Sequence, residues 1–347
     1  MASFDLPLLK TSNDSASIIS HNAFMQEFLA SMPIERNDVK PDDSNKHSTK
    51  KSVEGAEDKD GPDTKPGGKS DKTENDKPDD LANKVCPDFK FKGQLFLIGG
   101  NADDTFNELV KKLPENPKVV VVTMASREPG QNEALAKDFE DAGIPAANIT
   151  VVSDEAAPAQ TKYAYSQNLP ANFDLIYFSG GDQEVLRQRF TEVDKLRQAL
   201  ENGAIVAGNS AGTAIMPCEM ITGGGPGDLT HSRGFGLTPW AVTDTHVHQR
   251  NREDRDISAL YDIAKGELPV IGIDADTRVI FRWDGNHLIG EVGGDASVRI
   301  FRKTDQDLDI QSNNKIKPTI VKGTDGAGKG KSANMWELKA GDKFLLR

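Results

Sequence analysis

The sequence is poor in the features that mark several special architectures. Its 347 residues include two cysteines, Cys86 and Cys218, and three tryptophans. Two distant cysteines suggest neither a disulfide framework nor a metal cluster, and a reducing compartment fits that usage. No apolar run approaches the roughly 18 residues of a membrane span. Basic residues are in the minority, 42 against 54 acidic, for a net charge of -12 and a pI near 5.1. That balance argues against non-specific nucleic-acid binding and favours a cationic or zwitterionic substrate. Met1 to Lys10 lacks a basic n-region and a long apolar h-region, so no secretory signal is expected. The expected location is cytoplasmic, with export by another route left open.

Hydrophobic residues make up only 36% of the chain, and the mean hydropathy is -0.54, so polarity should be concentrated in one segment. The N-terminal quarter is that segment. Residues 1–36 form a tail in which Ile18, Ile19, Phe24, Met25, Phe28 and Leu29 recur at helical spacing, predicting one amphipathic helix within 12–32. It docks on the folded body or on a partner, or is only a transient helix of the tail. Residues 37–88 are almost free of large apolar side chains and mix charges of both signs with Ser, Gly and Pro. Such a stretch cannot bury enough surface to offset its ordering entropy and reads as a disordered charged linker.

Residues 89–347 read as one folded domain. Strands are expected at Gln94 to Ile98, Lys118 to Met124, Ile149 to Val152, Leu175 to Phe178 and from Ala204, alternating with helices at Asp104 to Leu113, Gln131 to Ala142 and Glu184 to Leu200, the last broken near Phe190. Alternation of this kind implies parallel pairing. The fold class is α/β, a doubly wound, mostly parallel sheet with helices on both faces. Its active edge should lie at the carboxyl ends of the strands. Further strands, including a hairpin turning at Asp284-Gly285-Asn286, add a C-terminal β-rich extension.

The chemistry concentrates at Gly208-Asn209-Ser210-Ala211-Gly212, where an apolar strand runs straight into a helical start. This is the context of a nucleophile elbow: small residues let the backbone double back and lift Ser210 out of the bend. The N–H of Ala211 at the helix start can then serve an oxyanion, with a second donor from Gly181 or Asp182 in the turn Phe178-Ser-Gly-Gly-Asp-Gln183. Gln183 can hold a substrate amide. His246 and His248 alternate, which on a strand puts both on one face, but no third ligand stands at zinc spacing, and no metal is expected. Gly323 to Ser332 misses the spacing of a phosphate loop and reads as a flexible basic loop.

From about Gln94 to Arg347 the chain resembles the cyanophycinases, within the serine-peptidase family that also contains aspartyl dipeptidases. The resemblance rests on Leu97-Ile-Gly-Gly100, Phe178 to Gln183, Gly208 to Gly212, Asp244-Thr-His-Val-His-Gln-Arg-Asn-Arg-Glu-Asp-Arg255 and Gly272-Ile-Asp-Ala-Asp-Thr277, with a similar ending at Ala340 to Phe344. It implies a fold like the class I glutamine amidotransferases with serine at the elbow, and a dimer. The implied substrate is the β-linked Asp-Arg units ending cyanophycin, a polyaspartate backbone bearing arginine side chains. Ser210 would be the nucleophile and His246 the general base. Asp182, Gln183, Asp244, Thr245, Arg250, Arg252 and Arg255 would line the substrate pocket, and no cofactor is implied. Arginines can bind aspartyl carboxylates through paired hydrogen bonds, and acidic residues can receive the arginyl group.

Two positions depart from the family pattern. Thr245 stands where cyanophycinases usually carry Gln, which can shift specificity toward another aspartyl or isoaspartyl peptide. Ala275 stands where they carry the Glu associated with orienting the histidine, which leaves the triad's third member open, with Asp274, Asp228 and Asp276 as the residues that could stand in. The alternatives are an aspartyl dipeptidase-like enzyme on short peptides, and a silent protein that binds an Asp/Arg-rich peptide without cutting it.

Overall fold

The computed structural model describes Cys86 and residues 88–101, 103–126 and 130–346. The helix expected within 12–32 and nearly all of the charged linker lie outside the described residues.

The first half of the domain alternates strand and helix: β1 (Gln94–Ile98), α1 (Asp103–Lys111), β2 (Val119–Val122), α2 (Gln131–Asp141), β3 (Ile149–Val152), β4 (Ala164–Ser166), β5 (Leu175–Phe178), α3 (Gln183–Arg189), α4 (Val193–Asn202) and β6 (Ile205–Asn209). The middle contains α5 (Ala211–Ala214), β7 (Glu219–Gly223), β8 (Thr230–Arg233), β9 (Val242–Thr245), α6 (Glu253–Asp262) and β10 (Val270–Ile273). The remainder is β11 (Thr277–Asp284), β12 (His287–Gly294), β13 (Val298–Lys303), β14 (Asp309–Gln311), β15 (Thr319–Lys322), β16 (Ser332–Leu338) and β17 (Lys343–Leu345).

Among the described residues, ten strands form one sheet in the order β14-β17-β12-β11-β1-β6-β5-β2-β3-β4. From β1 to β4 every neighbouring pair is parallel. From β1 outward through β11, β12, β17 and β14 every pair is antiparallel. A second sheet, β15-β16-β13-β10-β9, is parallel only between β10 and β9.

The central parallel strands β2 and β5 are apolar on both faces, as a sheet covered on both sides requires. Their period of two sorts the core into layers. Phe96, Ile98, Val119, Val121, Leu175 and Tyr177 pack with Phe106 of α1 and Phe139 of α2. Leu95, Leu97, Val120, Val122, Ile176 and Phe178 pack on the other face with Leu186 of α3 and Leu196 and Leu200 of α4, and this layer continues into Ile271 and Trp336 of the second sheet. The doubly wound, mostly parallel arrangement expected from the alternation is therefore present, with the antiparallel extension added at one edge.

The break expected near Phe190 is present: the stretch 184–200 forms two helices, and Phe190, at the C-terminus of α3, is extended (φ -92°, ψ 115°). Other local expectations change. The helix after the elbow is a single turn, so Cys218 lies beyond it, immediately before β7. There it forms a disulfide with Cys86 across 132 residues, overturning the expectation that the cysteines suggest no disulfide. Residues 323–331 form the packed turn between β15 and β16, with Gly328 buried, rather than a flexible loop.

Candidate active site

The elbow is built by close approach. A side-chain carbon on Gly208 would overlap the carbonyl of Gly212, and one on Gly212 would overlap the Phe178 carbonyl of the adjacent strand. Ser210, between them, is held at φ 51°, ψ -108°, a conformation costly for a residue with a Cβ. Two bonds fix the bend. The Ser210 N–H donates to Ile98 O at 3.0 Å. Buried Thr213 Oγ accepts from the Ile98 N–H at 2.8 Å and lies 2.6 Å from the Gly208 carbonyl and 2.7 Å from that of Ile98, one of which receives its proton. The sequence reading missed Thr213, whose role depends on the tip of β1 standing beside that of β6.

Ser210 Oγ lies 2.9 Å from His246 Nε2. His246 is the first residue after β9, at φ 52°, and its N–H donates to Gly99 O at 3.1 Å. The imidazole rests on the backbone of Gly100 (φ 135°), where any Cβ would overlap the ring. Because β9 stops at Thr245, the expected strand face shared by His246 and His248 does not exist. His248 is exposed in the following turn, its N–H donating to Asp274 at 2.9 Å.

Burial, with the charges of Arg250 and Arg252, pushes the His246 pKa down to about 4, against an opposing pull from Asp244. The ring is therefore neutral at neutral pH. In the tautomer with the proton on Nδ1, Nε2 can accept the Ser210 proton. The Gly180-Gly181 turn closes on the same serine: a Cβ at Gly180 would stand 3.5 Å from Ser210 Cβ. The Ala211 N–H, at the first position of α5, has no partner within its own helix by position.

The residues expected to line the pocket divide. Asp244 and Arg255 are buried and bound to each other. Arg255 Nε donates to Asp244 Oδ2 at 2.8 Å, its Nη2 donates to Oδ1, and Arg252 Nη1 adds a bond to Oδ1 at 3.3 Å. Burial pushes the Asp244 carboxyl up, but Arg255 and Arg252 outweigh it and hold the group below its usual range. Thr245 is buried beneath them and gives its N–H to Asp244 at 2.7 Å. Asp182 caps α3, accepting from the N–H groups of Glu184 and Val185. Gln183 donates its amide to the carbonyls of Ile221 and Thr222 in β7, at 2.9 and 3.2 Å, and so positions the β7–β8 hairpin. Arg250 is exposed and forms no ion pair among the described residues.

The acid candidates also separate. Asp274 is buried with both oxygens bound by Arg299 Nη1, at 2.8 and 3.0 Å, and is a structural ion pair, not a partner of His246. Nothing in the sequence announces Arg299, which reaches it from β13. Asp228 is exposed in the β7–β8 turn and accepts the Gly225 N–H at 2.6 Å. Asp276 gives its N–H to Gly100 O at 2.9 Å and accepts from Asn101 at 2.5 Å, so it sits on the loop carrying the glycine under the imidazole. A separate cavity of about 660 Å³, lined by Lys112, Phe173, Lys195 and Ala204 among others, opens at the amino ends of β5 and β6, the opposite end of the sheet from Ser210.

Comparison with known proteins finds similar sequences and structures. A cyanophycinase of Synechococcus elongatus is 32% identical over 213 residues, 56% of this chain and 64% of that protein, so the match spans under two thirds of the relative's length. A cyanophycinase of Nostoc sp. is 31% identical over 214 residues, covering 56% and 69% of the two chains. The crystal structure of a peptidase from an acI-B1 actinobacterium, 20% identical, covers 60% of this chain and 91% of its own at a TM-score of 0.43. The model of peptidase family S51 matches residues 95–289, more than half of the sequence. The chain belongs to peptidase family S51.

Proposed function

We propose that this chain is a serine exopeptidase that releases β-Asp-Arg units from cyanophycin or a closely related isoaspartyl peptide. The observation that carries the reading is the 2.9 Å contact between Ser210 Oγ and a neutral His246 Nε2 at a strand-to-helix elbow. Ser210 Oγ attacks the scissile carbonyl while His246 takes its proton. The resulting oxyanion is met by the N–H groups of Ala211 and Gly181. Collapse breaks the C–N bond as His246 returns the proton to the leaving amine, and water then releases the acyl group by the same route. Arg250 offers a guanidinium to an aspartyl carboxylate. Asp276 is the acid assigned to the imidazole side, because its N–H is bonded to the carbonyl of Gly100, the glycine under the ring. The cyanophycinase relatives support the polymer as substrate.

A silent binding protein is the second reading, favoured by the commitment of Asp274 to Arg299. One experiment separates them: incubate cyanophycin with the wild type and with Ser210→Ala and follow β-Asp-Arg release by mass spectrometry. Release by the wild type alone is expected. Release by neither refutes the cyanophycinase reading.

A further inference from the structure

One buried acid beside this site has no role in the steps above. Asp256, in the first turns of α6, is fully buried, and its carboxyl is wedged against β10. A Cβ added at Gly272 would stand 2.6 Å from Asp256 Oδ2 and 2.9 Å from Val247 Cγ2. Gly272 is the register partner of Asp244 across the β10–β9 pair, so the pocket under Gly272 leads directly to Asp244. The group Asp256 meets there is the Asp244 carboxyl, and among the described residues neither Asp256 oxygen has an N–H or hydroxyl donor.

Two ionised carboxylates offer acceptors only and cannot bond to one another, so a proton must stand between them. Which acid owns it follows from the surroundings. Asp244 receives three guanidinium hydrogen bonds and stays ionised. Asp256 receives none and is the protonated member. The charged groups acting on it are Asp244 from β9 and Arg255 and Arg252 from the head of its own helix. β10 and the turn after His246 present Gly272 and Val247, which are apolar.

We infer that Asp256 is a positioning residue that keeps its proton in the folded protein and donates it to Asp244, holding the Asp244–Arg255–Arg252 cluster in register behind His246 and Arg250. Loss of that proton would set two buried carboxylates against each other and loosen the cluster. Burial, followed by the charge of Asp244, pushes the acid well above its usual range, with Arg255 and Arg252 opposing. The native state then binds a proton that the unfolded chain has released. Stability must therefore fall as pH rises from the ordinary Asp range toward the folded value. The positioning half of the inference rests on the serine-peptidase reading, whereas the proton itself does not.

The test uses the full chain with Asp256→Asn, which keeps a donor without a titrating proton, and Asp256→Leu, which fills the space without one. Urea unfolding is followed from mildly acidic to alkaline pH. The unfolding constant of the wild type relative to either variant should rise about tenfold per pH unit until Asp256 ionises in the fold. A ratio that stays flat for both variants overturns the inference, and either variant suffices if the other fails to fold.

Labelling of Ser210 by a fluorophosphonate probe is then measured over the same range. The wild type should lose reactivity on the alkaline side, Asp256→Asn should not, and Asp256→Leu should react more slowly at every pH. Coincident profiles for wild type and Asp256→Asn overturn the positioning role even where the unfolding ratio rises. A wild type that does not label at any pH refutes the serine-peptidase reading instead, and the unfolding ratio still decides the proton.

Discussion

Breaking the Cys86–Cys218 bond should weaken the domain without opening its active site. The bond joins positions 132 residues apart, and the chain-entropy model assigns a loop of that length about 5 kcal/mol of stabilisation at 25 °C. Native strain and residual structure in the unfolded chain usually reduce that value, so about 2–5 kcal/mol is expected. The folded state should persist, because the segment after Cys86 has other anchors. Phe91 stacks on Trp240 at 6.0 Å, Arg197 lies 4.9 Å over Phe89, and the N–H groups of Lys92 and Gly93 reach Leu200 O at 3.2 and 2.9 Å. Cys218 is held from its other side by the Gly234 N–H, at 2.9 Å from its carbonyl. The assay is urea unfolding of the wild type with and without reductant, beside a Cys86→Ser, Cys218→Ser double variant. The reduced wild type and the double variant should coincide, both shifted to a lower midpoint, while fluorophosphonate labelling of Ser210 in native buffer stays at the oxidised rate. Full alkylation of both thiols in the denatured protein before any reductant is added would refute the reasoning, as would a shift below about 1 kcal/mol. A bond of this kind persists in oxidising compartments, and it runs against the reducing compartment expected from cysteine usage.

Three further outcomes follow from the site. With its pKa near 4, His246 should stay a free base through mildly acidic pH, so Ser210 labelling should hold as pH falls and drop only near about 4; a midpoint at the ordinary 6.5 would show that burial and the two arginines do not act on the ring. Gly100→Ala would place a methyl group in the imidazole's space and should slow fluorophosphonate labelling of Ser210 at least about a hundredfold, with the far-ultraviolet circular dichroism unchanged; retained labelling would mean the ring is not seated on that glycine. Thr213→Val removes the hydroxyl that joins the tips of β1 and β6 and strands the buried Ile98 N–H, a loss of about 1–3 kcal/mol in urea unfolding; an unchanged midpoint would show that the elbow does not depend on this bond.

The parallel half of the fold was legible because its strands are short β-branched runs bounded by turn residues, and Val119 to Val122 is the plainest case. The antiparallel additions were less so. Thr230-His-Ser-Arg233 forms β8 with polar, largely exposed side chains and carries no apolar period, since its partner β7 supplies the pairing. The same limit governs polar partners distant in sequence. Asp274 looked available until Arg299 arrived from another strand, and Cys86 looked solitary until the start of the domain folded back to Cys218. Asp256 was hidden differently: every residue from Arg255 to Leu260 is buried, so the amphipathic contrast that would expose an acid on the inner face is absent.

Backbone strain explains why the elbow could be read while the position of His246 could not. Among the described residues with positive φ other than glycine, Asn101, Asn116, Asn251 and Asp276 are of the types that tolerate that region through local hydrogen bonds, and Lys265 precedes a glycine. Ser210 and His246 remain, at 51° and 52°, and they are the two residues in contact at the site. The glycines at 208 and 212 advertise the strain at Ser210, because each stands where a carbonyl leaves no room for a Cβ. His246 has no flanking glycine. Its left-handed turn is imposed from outside, by Gly99 O on its N–H and by the Asp244 clamp one residue before Thr245, so its neighbours read as a continuing strand. Strain of this kind persists only where surrounding contacts over-determine it. The Arg–Asp cluster behind His246 is therefore part of what holds the imidazole against Ser210, and the buried proton on Asp256 is the part of that cluster on which pH can act.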